Sequence, residues 1–170
     1  PEPDAPFPAL RSSGCAAVFS CGCSCVRRSL YQILKEIYKE FDFYKEGLLS
    51  LTKKGISGIE EIKNLMHKFR TTPPTQILGS DIVEIKDYKS SVSKNVKSGV
   101  ETTINLPKSD VLQFFTEDGT KISIRPSGTE PKIKFYFGIK AKLNDIADFE
   151  VVNNELNERI NKLIKLFSEE

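Results

Sequence analysis

A double proline, Pro73-Pro74, divides this sequence into two regimes of apolar spacing, and that change of period limits its folds more than any other feature. Upstream, apolar side chains recur every three or four residues. Downstream, from Gly79 to Ile139, they alternate or gather in short blocks bounded by turn residues, before a helical period returns near the end. The first spacing lays a stripe along a helix and the second covers one face of a strand. Proline neither continues a helical hydrogen-bond ladder nor tolerates a helical predecessor, so a helix must stop at Thr71-Thr72. The same point is the expected domain boundary.

Leu30, Ile33, Leu34, Ile37, Tyr38 and Phe41 predict a first helix, with Ser29 as its N-cap. Leu48, Leu49 and Leu51 form a short extended run ending at Gly55. Ser57-Gly58-Ile59-Glu60 has the form of a capping box, which places a second helix with Ile59, Ile62, Leu65, Met66 and Phe69 on its apolar face. Beyond Gly79, strands are expected around Ile82 to Ile85, Val111 to Phe115, Lys121 to Arg125 and Lys132 to Ile139, with a hairpin turn at Asp118-Gly119. Lys89 to Gly99 reads as a mobile loop, and Phe149, Val152, Leu156, Ile160, Leu163, Ile164 and Phe167 share one face of a closing helix. The expected fold class is α+β: a small sheet of about four strands packed with a C-terminal helix and preceded by a helical segment.

Charge and composition exclude several partners. Among 170 residues the net charge is +2, and the lysines are interleaved with acids, which disfavours nucleic acid. No apolar run reaches the roughly 18 to 20 residues of a membrane span, and the Pro-rich start lacks the layout of a signal peptide, so cytoplasm is expected. Cys15, Cys21, Cys23 and Cys25 cluster near the start, without zinc-knuckle spacing and with no histidine near them, which disfavours both a disulfide framework and a metal site. Residues 1–28 carry no persistent period and are expected to be a tail or non-native segment contributing no core. His67 falls between apolar helix positions and reads as solvated. Phe114-Phe115 and Phe135-Tyr136-Phe137 read as strand core.

Chemistry concentrates in Arg125-Pro126-Ser127-Gly128-Thr129-Glu130-Pro131-Lys132. Arginine offers a planar fork that matches two phosphate oxygens, and the serine and threonine hydroxyls donate to others. Glycine lets backbone amides approach an anion without a Cβ in the way. The prolines stiffen both ends, which lowers the ordering cost of binding. The bland alternative is an exposed strand-to-strand turn, which draws on the same residue types.

The full string from Arg125 to Phe137 resembles the signature of the fourth domain of α-D-phosphohexomutases, the phosphoglucomutase and phosphomannomutase family. Phe43-Tyr44-Lys45-Glu46-Gly47, Phe69-Arg70, and Pro73-Pro74 followed by Gly79 are similar to the end of that family's third domain and the passage into the fourth. The resemblance covers residues 29–170, with 29–74 as the end of the third domain, a remnant of an α/β unit, and 75–170 as the phosphate-binding domain. It implies substrate phosphate contacts at Arg125, Ser127, Gly128 and Thr129, and added charge from Lys132 or Lys134. Strand alternation leaves open whether either lysine points toward the site.

The resemblance also implies a parent enzyme that interconverts hexose 1-phosphate and hexose 6-phosphate with Mg2+, activated by hexose 1,6-bisphosphate. Its partners would be a phosphosugar substrate and the other domains of the parent. The family's phosphoserine segment, its alternating-aspartate magnesium loop and its Gly-Glu-x-Ser-Gly sugar loop do not occur in this sequence; Asp118-Gly119 is followed by Thr120. The chain alone is therefore expected to hold no catalytic residue and no metal ligand and to be inactive. The alternative is a stand-alone phosphosugar-binding or interaction module without turnover.

Overall fold

A computed structural model describes residues 29–53 and 55–169. The expectations for residues 1–28, including the cysteine cluster, lie outside the described residues. The elements are α1 (Leu30–Phe41), β1 (Phe43–Thr52), α2 (Gly55–Thr71), β2 (Gln76–Ile77), β3 (Ser80–Asp87), β4 (Val92–Asn95), β5 (Glu101–Thr103), β6 (Leu112–Thr116), β7 (Lys121–Pro126), β8 (Lys132–Ala141) and α3 (Phe149–Ser168), the last entered through a 3-10 turn at Ile146–Asp148. All strand pairs are antiparallel, in the order β1-β8-β7-β6-β3-β4-β5, with β2 pairing β3 off that path.

The α+β class is as expected, but the sheet has eight strands where the sequence suggested about four. Two differences account for most of the gap. Leu48, Leu49 and Leu51 are part of a ten-residue strand, Phe43 to Thr52, paired with β8 along its whole length. The segment expected to be a mobile loop contains β4, which β5 joins in a hairpin. Its side chains have no apolar period because they lie at the sheet's margin, where backbone pairing with β3 sets the conformation. One member is buried all the same: Ser93 donates to the Glu84 carboxylate at 2.6 Å.

The core lies on one face of the sheet, beneath α2 and α3. Along β8, Ile133, Phe135, Phe137 and Ile139 turn inward, joined by Ile122 and Ile124 of β7 and by Leu112 and Phe114 of β6. Phe167 of α3 meets both Phe135 and Phe137, with ring centroids 5.3 and 5.6 Å away, and Phe69 of α2 reaches Phe114 and Phe135. Gly47 lets β1 approach α3 closely; a Cβ there would stand 2.6 Å from Cγ2 of Ile160. All seven apolar positions expected on the closing helix are buried or packed against this core.

The upstream elements share that core. Phe43, Ile62, Met66 and Phe69 belong to the same buried cluster as the strands that follow Pro73-Pro74, so the double proline marks a turn between α2 and the sheet. Helix α2 begins at Gly55, which places Ser57 inside its first turn and not at a cap. Gly58 lies so near Lys53 that a Cβ would sit 3.0 Å from the Lys53 carbonyl carbon. Ile59, expected on the apolar face, is exposed. The Ser29 cap of α1 is present as a reciprocal box: Ser29 Oγ accepts from the Gln32 amide, and Gln32 Oε1 accepts from the Ser29 amide.

Candidate functional site: a cationic pocket at a hairpin tip

The other face of the sheet carries no helix among the described residues, and the chemistry-bearing loop stands at its margin. Residues 127–131 join β7 to β8, in a register that sets Arg125 opposite Lys134 and Pro126 opposite Ile133. Two backbone bonds close the loop. The Ser127 amide donates to the Lys132 carbonyl at 2.8 Å, and the Lys53 amide, just past β1, donates to the Pro131 carbonyl at 2.8 Å. Three neighbouring strands therefore fix the position of the tip.

Arg125, Ser127, Gly128, Thr129, Lys132 and Lys134 all line one pocket of about 460 Å3, together with Pro126, Glu130 and Tyr136. Alternation along β8 decides the question left open for the lysines: Ile133 and Phe135 are buried, so Lys132 and Lys134 share the opposite, open face with Arg125. Sequence reasoning missed Glu130 and Tyr136. Tyr136 was taken for strand core with Phe135 and Phe137, yet it alternates in phase with the lysines and is 42% exposed. That two-residue step was the available signal.

Three cations face one carboxylate here. Glu130 pairs with Lys132, and that hydrogen bond and charge, followed by the charge of Lys134, hold its carboxyl below the usual range. Among the described residues, Arg125 has no acidic partner and the amides of Gly128, Thr129 and Glu130 donate to no acceptor. The Ser127 amide is spent inside the loop, which leaves its hydroxyl as the available donor. The pocket thus gathers a guanidinium, two ammonium groups, free hydroxyls and free amides, the donor set of an anion site.

That set does not suit Mg2+, which needs several oxygen ligands at close range, whereas the pocket's single carboxylate is already paired with an ammonium. Among the described residues no group of three or more His, Cys, Asp or Glu side chains could hold a metal ion elsewhere. His67 is exposed. Among the described residues no helix is long and apolar enough to cross a membrane.

Fold and pocket together define an antiparallel α+β module with helices on one face and a cationic hairpin tip at the margin of the other. Residues 53–152 match the family described as phosphoglucomutase/phosphomannomutase, C-terminal domain, and the chain belongs to that family. It is similar to a phosphoglucomutase of Staphylococcus saprophyticus, 32% identical over 126 residues that make up 74% of this chain and 23% of the relative. A phosphoglucomutase of Staphylococcus aureus is 36% identical over 121 residues, or 71% of this chain and 22% of the relative. The chain thus spans less than a quarter of the length of these relatives. A solved open form of parafusin from Paramecium, a phosphoglucomutase, overlays with a TM-score of 0.38 at 13% identity, covering 79% of this chain and 23% of that one.

Proposed function

We infer that this chain is the phosphate-gripping C-terminal part of a phosphohexomutase, an enzyme that interconverts hexose 1-phosphate and hexose 6-phosphate through a bisphosphate. The observation that carries this reading is the convergence of Arg125, Lys132, Lys134 and the unpaired amides of Gly128, Thr129 and Glu130 on one pocket, in a chain of this family. Moving a phosphoryl group between two ends of a sugar requires a clamp on a phosphate that is not reacting, so that the far end is held in place during transfer. Arg125 supplies the fork, Ser127 and Thr129 the hydroxyls, Gly128 the unobstructed amide, and Lys132 and Lys134 the flanking charge. The cargo is a phosphosugar, met in a cytoplasmic setting.

Residues 29–74 would be the passage from a preceding domain, with β1 already joined to the sheet of residues 75–170. The nucleophile and any Mg2+ belong to those other domains. The direct test is a coupled, magnesium-dependent mutase assay with hexose 1-phosphate. A protein that carries this chain behind its upstream domains should turn over, and the 170-residue chain alone should not. Turnover by the chain alone, or none by the longer protein, would contradict this assignment, and the latter result would favour a non-catalytic binding module.

A further inference from the structure

Two residues outside the anion pocket set the place of its rim. Among the described residues, the loop 127–131 accepts one hydrogen bond from beyond the β7–β8 hairpin, the 2.8 Å bond from the Lys53 amide to the Pro131 carbonyl. β1 pairs with β8 as far as Thr52 opposite Lys132, so Lys53 and Pro131 stand one step further along the same antiparallel ladder. A facing pair on such a ladder can exchange two bonds, but proline has no N–H to return. The joint therefore rests on the Lys53 amide alone. Pro131 directly follows Glu130, the last of the three free amides, so slack at this joint reaches the donors.

Gly58, near the start of α2, presses on Lys53 from the helix side. A Cβ there would stand 2.8 Å from Lys53 Cβ, 3.0 Å from its carbonyl carbon and 3.3 Å from its carbonyl oxygen. Two of those atoms are backbone and the third is fixed to it, so none can swing aside as the far end of a lysine could. Gly58 does not take a left-handed φ, so close approach is what asks for glycine here. α2 is itself held to the core by Ile62, Met66 and Phe69.

We propose that Lys53 is a positioning residue for the phosphate loop, acting through its backbone amide, and that Gly58 is the position whose missing side chain keeps Lys53 within reach of Pro131. The inference rests on the phosphate-gripping role proposed above. Amides bind an anion best when already aimed, because ordering them on its arrival would offset part of the binding energy. The path runs from the core through α2 and Lys53 to Pro131 and the tip. The Lys53 ammonium takes no part in it: it pairs with Glu61 of α2 at 3.5 Å and does not line the anion pocket.

Titration of the 170-residue chain with inorganic phosphate, followed by backbone amide signals, tests this with three variants. Lys53→Pro deletes the donor and should weaken binding roughly three- to tenfold, the worth of one backbone hydrogen bond. Gly58→Ala should weaken it to a similar degree, although alanine is the better helix former. Lys53→Ala keeps the amide, loses the ammonium and should retain most of the affinity. Because coupling is reciprocal, saturating phosphate should also slow hydrogen exchange of the Lys53 amide in the unaltered chain more than it slows the amides of β6. That measurement needs no variant, so it decides the matter even where Lys53→Pro does not fold. Full affinity in either Lys53→Pro or Gly58→Ala, an equal loss in Lys53→Ala, or no added protection at Lys53 would overturn the positioning role and leave the anion pocket standing. An unaltered chain that binds no phosphate would overturn the phosphate-gripping role and the positioning role with it.

Discussion

Arg125 and Lys132 enter the same pocket in different electrostatic states. Lys132 is already engaged by Glu130, whereas Arg125 is exposed and has no acidic partner among the described residues. An incoming phosphate therefore takes a free, planar fork from Arg125 but must compete for Lys132. In the longer protein, Arg125→Ala should lower kcat/KM for hexose 1-phosphate by the equivalent of about 2 kcal/mol, the worth of a hydrogen bond to a charged group. Lys132→Ala should cost about 1 kcal/mol or less. Arg125→Lys should recover only part of the loss, since charge returns without the fork. Equal effects at the two positions, or full rescue by lysine, would mean that the loop does not hold phosphate this way. A second residue, Asp118, stabilises the turn between β6 and β7. Burial pushes its carboxyl up, but hydrogen bonds from the Thr116 hydroxyl and from the amide and hydroxyl of Thr120, with the Arg159 charge, outweigh burial and hold it below the usual value of 3.8. Its contribution is complete above that ordinary value and is lost as pH falls through the lower, folded one. Asp118→Asn should cost about 1 kcal/mol near neutrality, discounted for partial exposure, and should flatten the acid limb of stability measured by urea unfolding from about pH 6 to about pH 2. An unchanged acid limb would contradict this account. The loop's donors were readable from residue types, and the alternation of Ile133, Phe135 and Phe137 with Lys132, Lys134 and Tyr136 carried the strand phase, but which face holds the pocket followed only from the sheet's buried side.

Among the elements, the long periodic ones were the most visible in sequence. Helix α3 and strands β6, β7 and β8 follow the apolar pattern because each buries one face against the shared core. Strand β4 and hairpin partner β5 were invisible, since polar residues at a sheet margin pair through backbone bonds and polar side-chain contacts, Ser93 with Glu84 and Lys94 with Glu101, none of which leaves an apolar period. The β2–β3 hairpin was missed for another reason. Its two central residues are Leu78 and Gly79, at φ of 50° and 81°, and leucine gives no sign of a turn that asks for positive φ at both places. Leucine's Cβ is strained in that conformation and its side chain is 43% exposed, so the native residue contributes little in return. Leu78→Asn should therefore stabilise the chain by about 1 kcal/mol in urea unfolding, and Gly79→Ala should destabilise it. A destabilised Leu78→Asn chain would mean that leucine packing outweighs the backbone strain.

At the scale of the whole molecule, the sheet does one job on each face. Buried aromatics anchor α2 and α3 beneath it, and that rigid layer holds the hairpin tip in place through β7, β8 and the end of β1. The double proline looked like a domain boundary because it ends a helix. Only the pairing of β1 with β8, residues separated by 80 to 98 positions in the chain, reveals that the elements before it share the core, and local periodicity carries no information about such a pairing. In the phosphate-gripping role proposed above, this preformed tip receives a phosphate through Arg125 and the amides of Gly128, Thr129 and Glu130. Following backbone amide signals of the 170-residue chain during titration with inorganic phosphate tests it directly. Saturable shifts centred on Gly128, Thr129 and Glu130, abolished by Arg125→Ala in a chain that remains folded, are the predicted result. No saturable shift at those three amides, or shifts that persist unchanged without Arg125, would contradict it.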